Sequence, residues 1–164
     1  MGDAFQPTSK STAVWKDGLA FDATLNGHAI ALDADEGVGG RDLGPRPKGL
    51  MLTALIGCTG MDVAAILAKM KIVPSRFEVE AEASLTSEHP KVYDRIHLNY
   101  RFEGEDLPAD KLERAVNLSQ EKYCGVSAML RPVVQLSRSI FINGSLHSTK
   151  EDPPPVAGLA AKAL

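Results

Sequence analysis

Short runs carrying apolar residues open the chain: residues 12–16 (TAVWK), 19–25 (LAFDATL) and 28–33 (HAIALD). Asp17-Gly18 and Asn26-Gly27 separate them. Both dipeptides suit type I′ hairpin turns, whose two central residues need positive φ. The pattern predicts a β-meander, and the Gly- and Pro-rich stretch 35–48 reads as a loop after it. From Lys48 to Lys71 the apolar residues Leu50, Leu52, Leu55, Ile56, Met61, Val63, Ile66, Leu67 and Met70 fall on more than one face of a helix. A helix apolar nearly all round is expected to be buried. Lys69 and Lys71 suit its C-terminal dipole, and Pro74 marks its end. Residues 76–86 and 91–103 alternate apolar with polar, the period of half-buried strands. Pro108 opens a second helix to about Lys122, with Leu112, Val116 and Leu118 as its buried positions. Residues 124–131 form a short helix or turn ahead of Pro132. A last strand, 133–142, closes on Asn143-Gly144. The predicted order β-β-β-α-β-β-α-β is an α+β fold, in which strands cluster instead of alternating with helices.

Composition fits one ordinary globular domain over residues 1–164, with a core over about 13–143 and a peripheral tail over 144–164. Of the 164 residues 44% are apolar and 24% charged, enough for a single sizeable core. The net charge of -3 and the lack of a basic stripe give nucleic acid no electrostatic footprint. Residues 1–12 are polar, without the apolar segment of a signal peptide. The longest charge-free apolar stretch, 49–61, falls short of the roughly 20 residues that cross a bilayer. The expectation is a cytoplasmic protein with no membrane partner.

Cys58 and Cys124 are the chemically distinctive residues. In the cytoplasm they are not expected to form a permanent disulfide, and on count alone each reads as a small buried hydrophobe. Their surroundings change that. Cys58 lies in Gly57-Cys58-Thr59-Gly60-Met61-Asp62, inside the apolar helix, and Cys124 in Ser119-Gln120-Glu121-Lys122-Tyr123-Cys124-Gly125-Val126-Ser127, 66 residues later. Pro47 with the helix ending in Ala54-Leu55-Ile56-Gly57-Cys58, followed by Glu121-Lys122-Tyr123-Cys124-Gly125-Val126-Ser127, resembles the OsmC/Ohr family across about residues 13–143. The wording Gly57-Cys58-Thr59-Gly60-Met61-Asp62-Val63 is closest to its less characterised OsmC-like branch.

The resemblance implies an intertwined homodimer in which strands wrap long helices and the sites lie at the subunit interface. It implies that Cys58 attacks an organic hydroperoxide or H2O2 and becomes a sulfenic acid. Cys124 then resolves it as a disulfide, which a dithiol (a lipoylated or thioredoxin-like protein) reduces, in defence against oxidative stress. The chemistry is coherent, because only a thiolate attacks peroxide and a neighbouring thiol condenses with the sulfenic acid before over-oxidation. No cofactor or metal is implied.

The sequence departs from the peroxidase pattern in one place. Those enzymes carry a Glu ten residues before the first cysteine, holding an Arg beside the thiolate; here that position is Lys48. Lys48, Arg41 and Arg46 are the available thiolate-stabilising cations. Asp62, four residues beyond Cys58, shares its helical face, and an unpaired charge there would disfavour a thiolate. Glu121 belongs to the second motif and shapes the turn that presents Cys124. His28, His89, His97 and His147 are scattered without metal-ligand spacing, and His97 reads as a half-exposed strand residue. Ser119 and Ser127 read as local hydrogen bonders, Trp15 and Tyr123 as packing residues. Two readings stand beside the enzyme: a non-catalytic protein that binds a small hydrophobic ligand or senses redox state, and a structural domain with inert thiols. Lys48 leans toward the former, the retained cysteine pair toward the enzyme.

Overall fold

A computed structural model describes residues 7–155. The polar first residues and the Ala/Leu-rich end of the tail lie outside them. The chain divides after Met51 into two compact units.

The first unit is the predicted meander, an antiparallel sheet of β1 (Ser11–Asp17), β2 (Ala20–Leu25) and β3 (His28–Leu32) in that order. Asn26 and Gly27 both take positive φ, as a type I′ turn requires. The first turn differs from expectation. It is centred on Gly18-Leu19, and of those only Gly18 has positive φ, because the β1–β2 register shifts between Trp15 and Asp17. Ala20 and Ala23 are buried, whereas Trp15 is 62% exposed and donates its indole N–H to the Gly18 carbonyl. Trp15 is thus not a packing residue within this chain. The Gly/Pro-rich loop is folded around buried Asp33, whose carboxylate accepts the N–H groups of Ala34, Arg41 and Leu43 at 2.8, 3.0 and 3.3 Å. Burial alone would push that carboxyl up, but the three donors outweigh it and hold it below the usual carboxylate range.

The second unit is built on α1 (Gly49–Lys69) and a four-stranded sheet, β4 (Arg76–Leu85), β5 (Tyr93–Glu103), β6 (Gln135–Ile142) and β7 (Ser145–Glu151), in that order. β5 and β6 run parallel; the other pairs are antiparallel. A parallel pair needs a crossover, supplied by α2 (Ala109–Leu118), a π-helical turn over Ser119–Tyr123, and α3 (Gly125–Leu130). The inward series Ile96, Leu98, Tyr100 and Phe102 of β5 packs in one core with Leu55, Val63 and Leu67 of α1 and Leu112, Ala115 and Val116 of α2.

Strand β7 was not expected; it falls in the segment read as a peripheral tail. Asn143 and Gly144, both at positive φ, turn β6 into it, and Asp152 just beyond it is 8% exposed. The second helix stops at Leu118 and widens into the π turn, leaving Leu118 half-buried. Tyr123 is exposed, not packed. Within one chain α1 is buried along a single stripe, Leu55, Thr59, Val63 and Leu67. Its 21 residues exceed the charge-free stretch counted above. By length and composition alone α1 could cross a bilayer, yet its buried stripe belongs to the core of this unit.

Candidate active site

Cys58 and Asp62 sit one turn apart on α1, so their side chains share a face. Cys124 is the N-cap of α3. The two sulfurs and a carboxylate oxygen of Asp62 all lie within 4.8 Å of one another. Cys58 and Asp62 are half-buried, and Cys124 is 3% exposed. The fold therefore brings together three of the residues singled out from sequence. Burial pushes the Cys124 thiol up; the nearby Ser127 side chain and the Ser127 N–H, which reaches the sulfur at 3.4 Å, pull it part of the way back, and the neighbouring Cys58 adds a smaller push upward. The Ser127 hydroxyl, fully buried beside that sulfur, makes no well-formed hydrogen bond.

The π turn explains how Cys124 arrives there. Its bond from Cys124 N–H to the Ser119 carbonyl, 2.8 Å, closes a five-residue step. The wider turn buries Ser119 and Gln120 and leaves Glu121, Lys122 and Tyr123 outside. Such turns recur at functional sites. Two arginines fasten it from behind. Arg131 donates to the Gln120 carbonyl at 2.6 Å and to Asp152 at 2.8 Å; Arg138 donates to Asp152 at 2.7 Å and to Asn117 at 2.8 Å.

A buried chain of hydroxyls ends on Asp62, and counting protons fixes its direction. Ser119 donates its one hydroxyl proton to Asp62 Oδ2 at 3.0 Å. The 2.9 Å contact between Thr59 and Ser119 must then run from Thr59 to Ser119. Thr59 has now spent its proton, so its 2.7 Å contact with Tyr100 is donated by the phenol. Gln120 Nε2 supplies its two N–H groups to Thr59 Oγ1 at 3.0 Å and Tyr100 Oη at 2.8 Å. Burial pushes the Tyr100 phenol up to about 12 against the pull of its hydrogen bonds, so it remains a donor at any ordinary pH. Each hydroxyl in the chain is satisfied, and each points toward the carboxylate beside the thiols.

Sequence reasoning missed Thr59, Tyr100 and Gln120 and gave Ser119 only a local role. The signals were faint: Thr59 is a hydroxyl within the otherwise apolar stripe Leu55, Val63, Leu67, and Tyr100 a phenol in the inward series of β5. The proposed cations fare differently. Arg41 forms a two-pronged pair with Asp17, and Arg46 pairs with Asp42 at 2.7 Å and Asp35 at 3.9 Å, all within the first unit. Lys48 directly precedes α1. Glu121 is exposed and pairs with Lys150 at 2.8 Å and Arg138 at 3.6 Å. His97 is half-buried between Ser137 and Ser139, as a strand residue should be.

Comparison with known proteins agrees with this architecture. Residues 39–137 match the family described as OsmC-like protein. Protein YhfA of Escherichia coli (strain K12) is 36% identical over 130 residues, covering 76% of this chain and 91% of its own. A hypothetical protein from Aquifex aeolicus VF5 superposes with a TM-score of 0.74 at 27% identity, covering 84% of this chain and 98% of that one. An organic hydroperoxide resistance protein from Elizabethkingia anophelis shares the fold, with a TM-score of 0.66 at 15% identity over 87% of this chain and 100% of its own. On the matched span, the identity to YhfA and the shared α+β architecture, this chain belongs to the OsmC-like protein family.

Proposed function

We propose that this protein is a thiol-dependent hydroperoxide reductase in which Cys58 attacks and Cys124 resolves. The observation that carries the reading is the approach of both sulfurs and the Asp62 carboxylate to within 4.8 Å, in a family whose fold is shared with organic hydroperoxide resistance proteins. Cys58 is the more accessible of the two thiols, as the attacking residue must be. In the first step the Cys58 thiolate attacks one peroxide oxygen, the O–O bond breaks, and an alcohol or water leaves with a proton. Asp62 is placed to accept the thiol proton and to return it to the leaving oxygen. In the second step the Cys124 sulfur attacks the sulfenic sulfur, water leaves, and a disulfide forms. A dithiol reductant, such as a lipoylated or thioredoxin-like protein, reopens it.

The working form in this reading is a homodimer. Met51 and Met61 on α1 are 45% and 71% exposed, and only 22% of the apolar stretch of that helix is buried by its own chain. A second copy covering that face would account for a helix apolar all round. Sedimentation at micromolar concentration should give the mass of two chains; a single-chain mass contradicts it.

Redox sensing without turnover is the second reading, favoured by the engagement of Arg41 and Arg46 with carboxylates of their own unit. Following cumene hydroperoxide and H2O2 consumption, with dithiothreitol or a lipoylated protein as reductant, separates the two. Many equivalents consumed per chain support the reductase, and a single equivalent supports the sensor.

A further inference from the structure

We propose that the reduced Cys58–Cys124 pair and Asp62 form a three-ligand site for a thiophilic divalent cation of the Zn2+ class, in competition with oxidation of the same thiols. The inference rests on the geometry of the cluster and does not require peroxide turnover.

Four observations converge on it. The first is donor spacing. A cation about 2.3 Å from sulfur and about 2.1 Å from oxygen holds such donors a little under about 4 Å apart. These donors already lie within 4.8 Å of one another, so closure by about an ångström completes the set. Two of them share a helix face one turn apart, and the third is fixed at a helix N-cap. The second is donor chemistry. Two thiolates with one carboxylate select Zn2+ or Cd2+ over Mg2+ or Ca2+, which prefer oxygen-only shells. Binding expels the two thiol protons to solvent and sets three negative ligand charges against two positive ones.

The third observation is that the ligands are already oriented from outside. Ser119 donates to Oδ2 of Asp62, the kind of outer contact by which neighbouring groups aim a metal-bound carboxylate. The Ser127 N–H points at the Cys124 sulfur. The fourth is the Ser127 hydroxyl itself, fully buried against that sulfur without a well-formed hydrogen bond. A sulfur made anionic by a metal gives it an acceptor. Cys58 and Asp62 are only half-buried, so water can fill a fourth position, as at zinc sites with three protein ligands. A disulfide removes both thiolates, so metal and oxidant exclude one another.

The test uses the full chain, reduced and handled without oxygen. Titration with Cd2+ should raise an ultraviolet sulfur-to-metal charge-transfer band that saturates at one ion per chain and is displaced by Zn2+. Cys58→Ser and Cys124→Ser should each remove the band. Asp62→Asn keeps the bond to Ser119, and Ser119→Ala removes it; each should weaken Cd2+ about tenfold or more, as loss of a ligand or its support does. Disulfide-oxidised protein should not bind. Zn2+ should also shield both thiols of the unaltered protein from alkylation, a readout independent of how any variant folds. The absence of a saturable band and of Zn2+ protection overturns the site. A band surviving in Cys58→Ser, or an affinity unchanged in Asp62→Asn, overturns the three-ligand assignment. None of these results depends on peroxide consumption, so failure here and failure of the reductase reading are distinguishable.

Discussion

Ser119 donates its hydroxyl proton to Asp62 at 3.0 Å, and that bond joins a closed set of buried hydroxyls to the dithiol. Because Ser119 also accepts from Thr59 at 2.9 Å, the two residues act as one unit. Ser119→Ala strands the Thr59 proton and deprives Asp62 of a donor, at a cost of about 1–3 kcal/mol in urea unfolding. Thr59→Val should cost a similar amount, since it leaves Tyr100 and Gln120 without their shared acceptor. The double variant should lose less than the sum, with a coupling of about 0.5–3 kcal/mol. Strict additivity would mean that the chain is not cooperative.

The C-terminal segment should be costlier still to detach. Asp152 and Arg138, with side chains 7% and 4% exposed, meet at 2.7 Å, and Arg131 joins them at 2.8 Å. Removing one member of such a buried pair costs about 3–5 kcal/mol, because the other is left charged and unpaired. Asp152→Ala should lose that much stability and loosen the π turn that Arg131 holds through the Gln120 carbonyl. Burial raises the Asp152 carboxyl, but hydrogen bonds from Arg131 and Arg138 outweigh it and hold it below its ordinary value of 3.8. A carboxylate depressed in the folded state contributes stability above the unfolded value and loses it as pH falls through the folded one. The unaltered protein should therefore lose stability below about pH 4, and Asp152→Asn should flatten that limb. An acid limb unchanged in Asp152→Asn would place the titration elsewhere.

Much of the fold was legible because local chemistry and tertiary structure agree. Asn26-Gly27 takes the turn its dipeptide demands, and residues 76–103 pair as their alternation predicts. Cys58, Asp62 and Cys124 meet as motif and helical spacing imply. The rest was hidden for physical reasons. Strand β7 (SLHSTKE) has little apolar character because its residues are mostly exposed, so periodicity could not reveal it, although Asn143-Gly144 pointed to a hairpin. The hydroxyl chain draws on α1, β5 and the π turn, and no local pattern encodes contacts between residues 59, 100 and 119. The π turn is one residue wider than a helix, a difference invisible in a polar stretch.

The resolving step should carry its own pH signature. Burial, the largest influence, raises the Cys124 thiol above its ordinary value of 9.0 and persists once Cys58 is a sulfenic acid, so little of it is thiolate near neutrality. Attack on the sulfenic acid requires that thiolate. In single turnover, disulfide closure should still be accelerating at pH 9.0, by up to about tenfold per pH unit. A rate already level by about pH 8 would mean that another group takes the Cys124 proton.

If Cys58 and Cys124 work as a redox pair within one chain, a stoichiometric titration should show both thiols reacting together. Reduced protein receives one equivalent of cumene hydroperoxide, and the alcohol released, the remaining thiols and the cross-linked peptides are measured together. The expected products are one alcohol per chain, loss of both thiols, and an intrachain Cys58–Cys124 disulfide. Cys58→Ser should release no alcohol, and Cys124→Ser should accumulate sulfenic then sulfinic acid on Cys58. Peroxide left unconsumed, or oxidation of Cys58 without a link to Cys124 in the unaltered protein, would contradict the redox pairing.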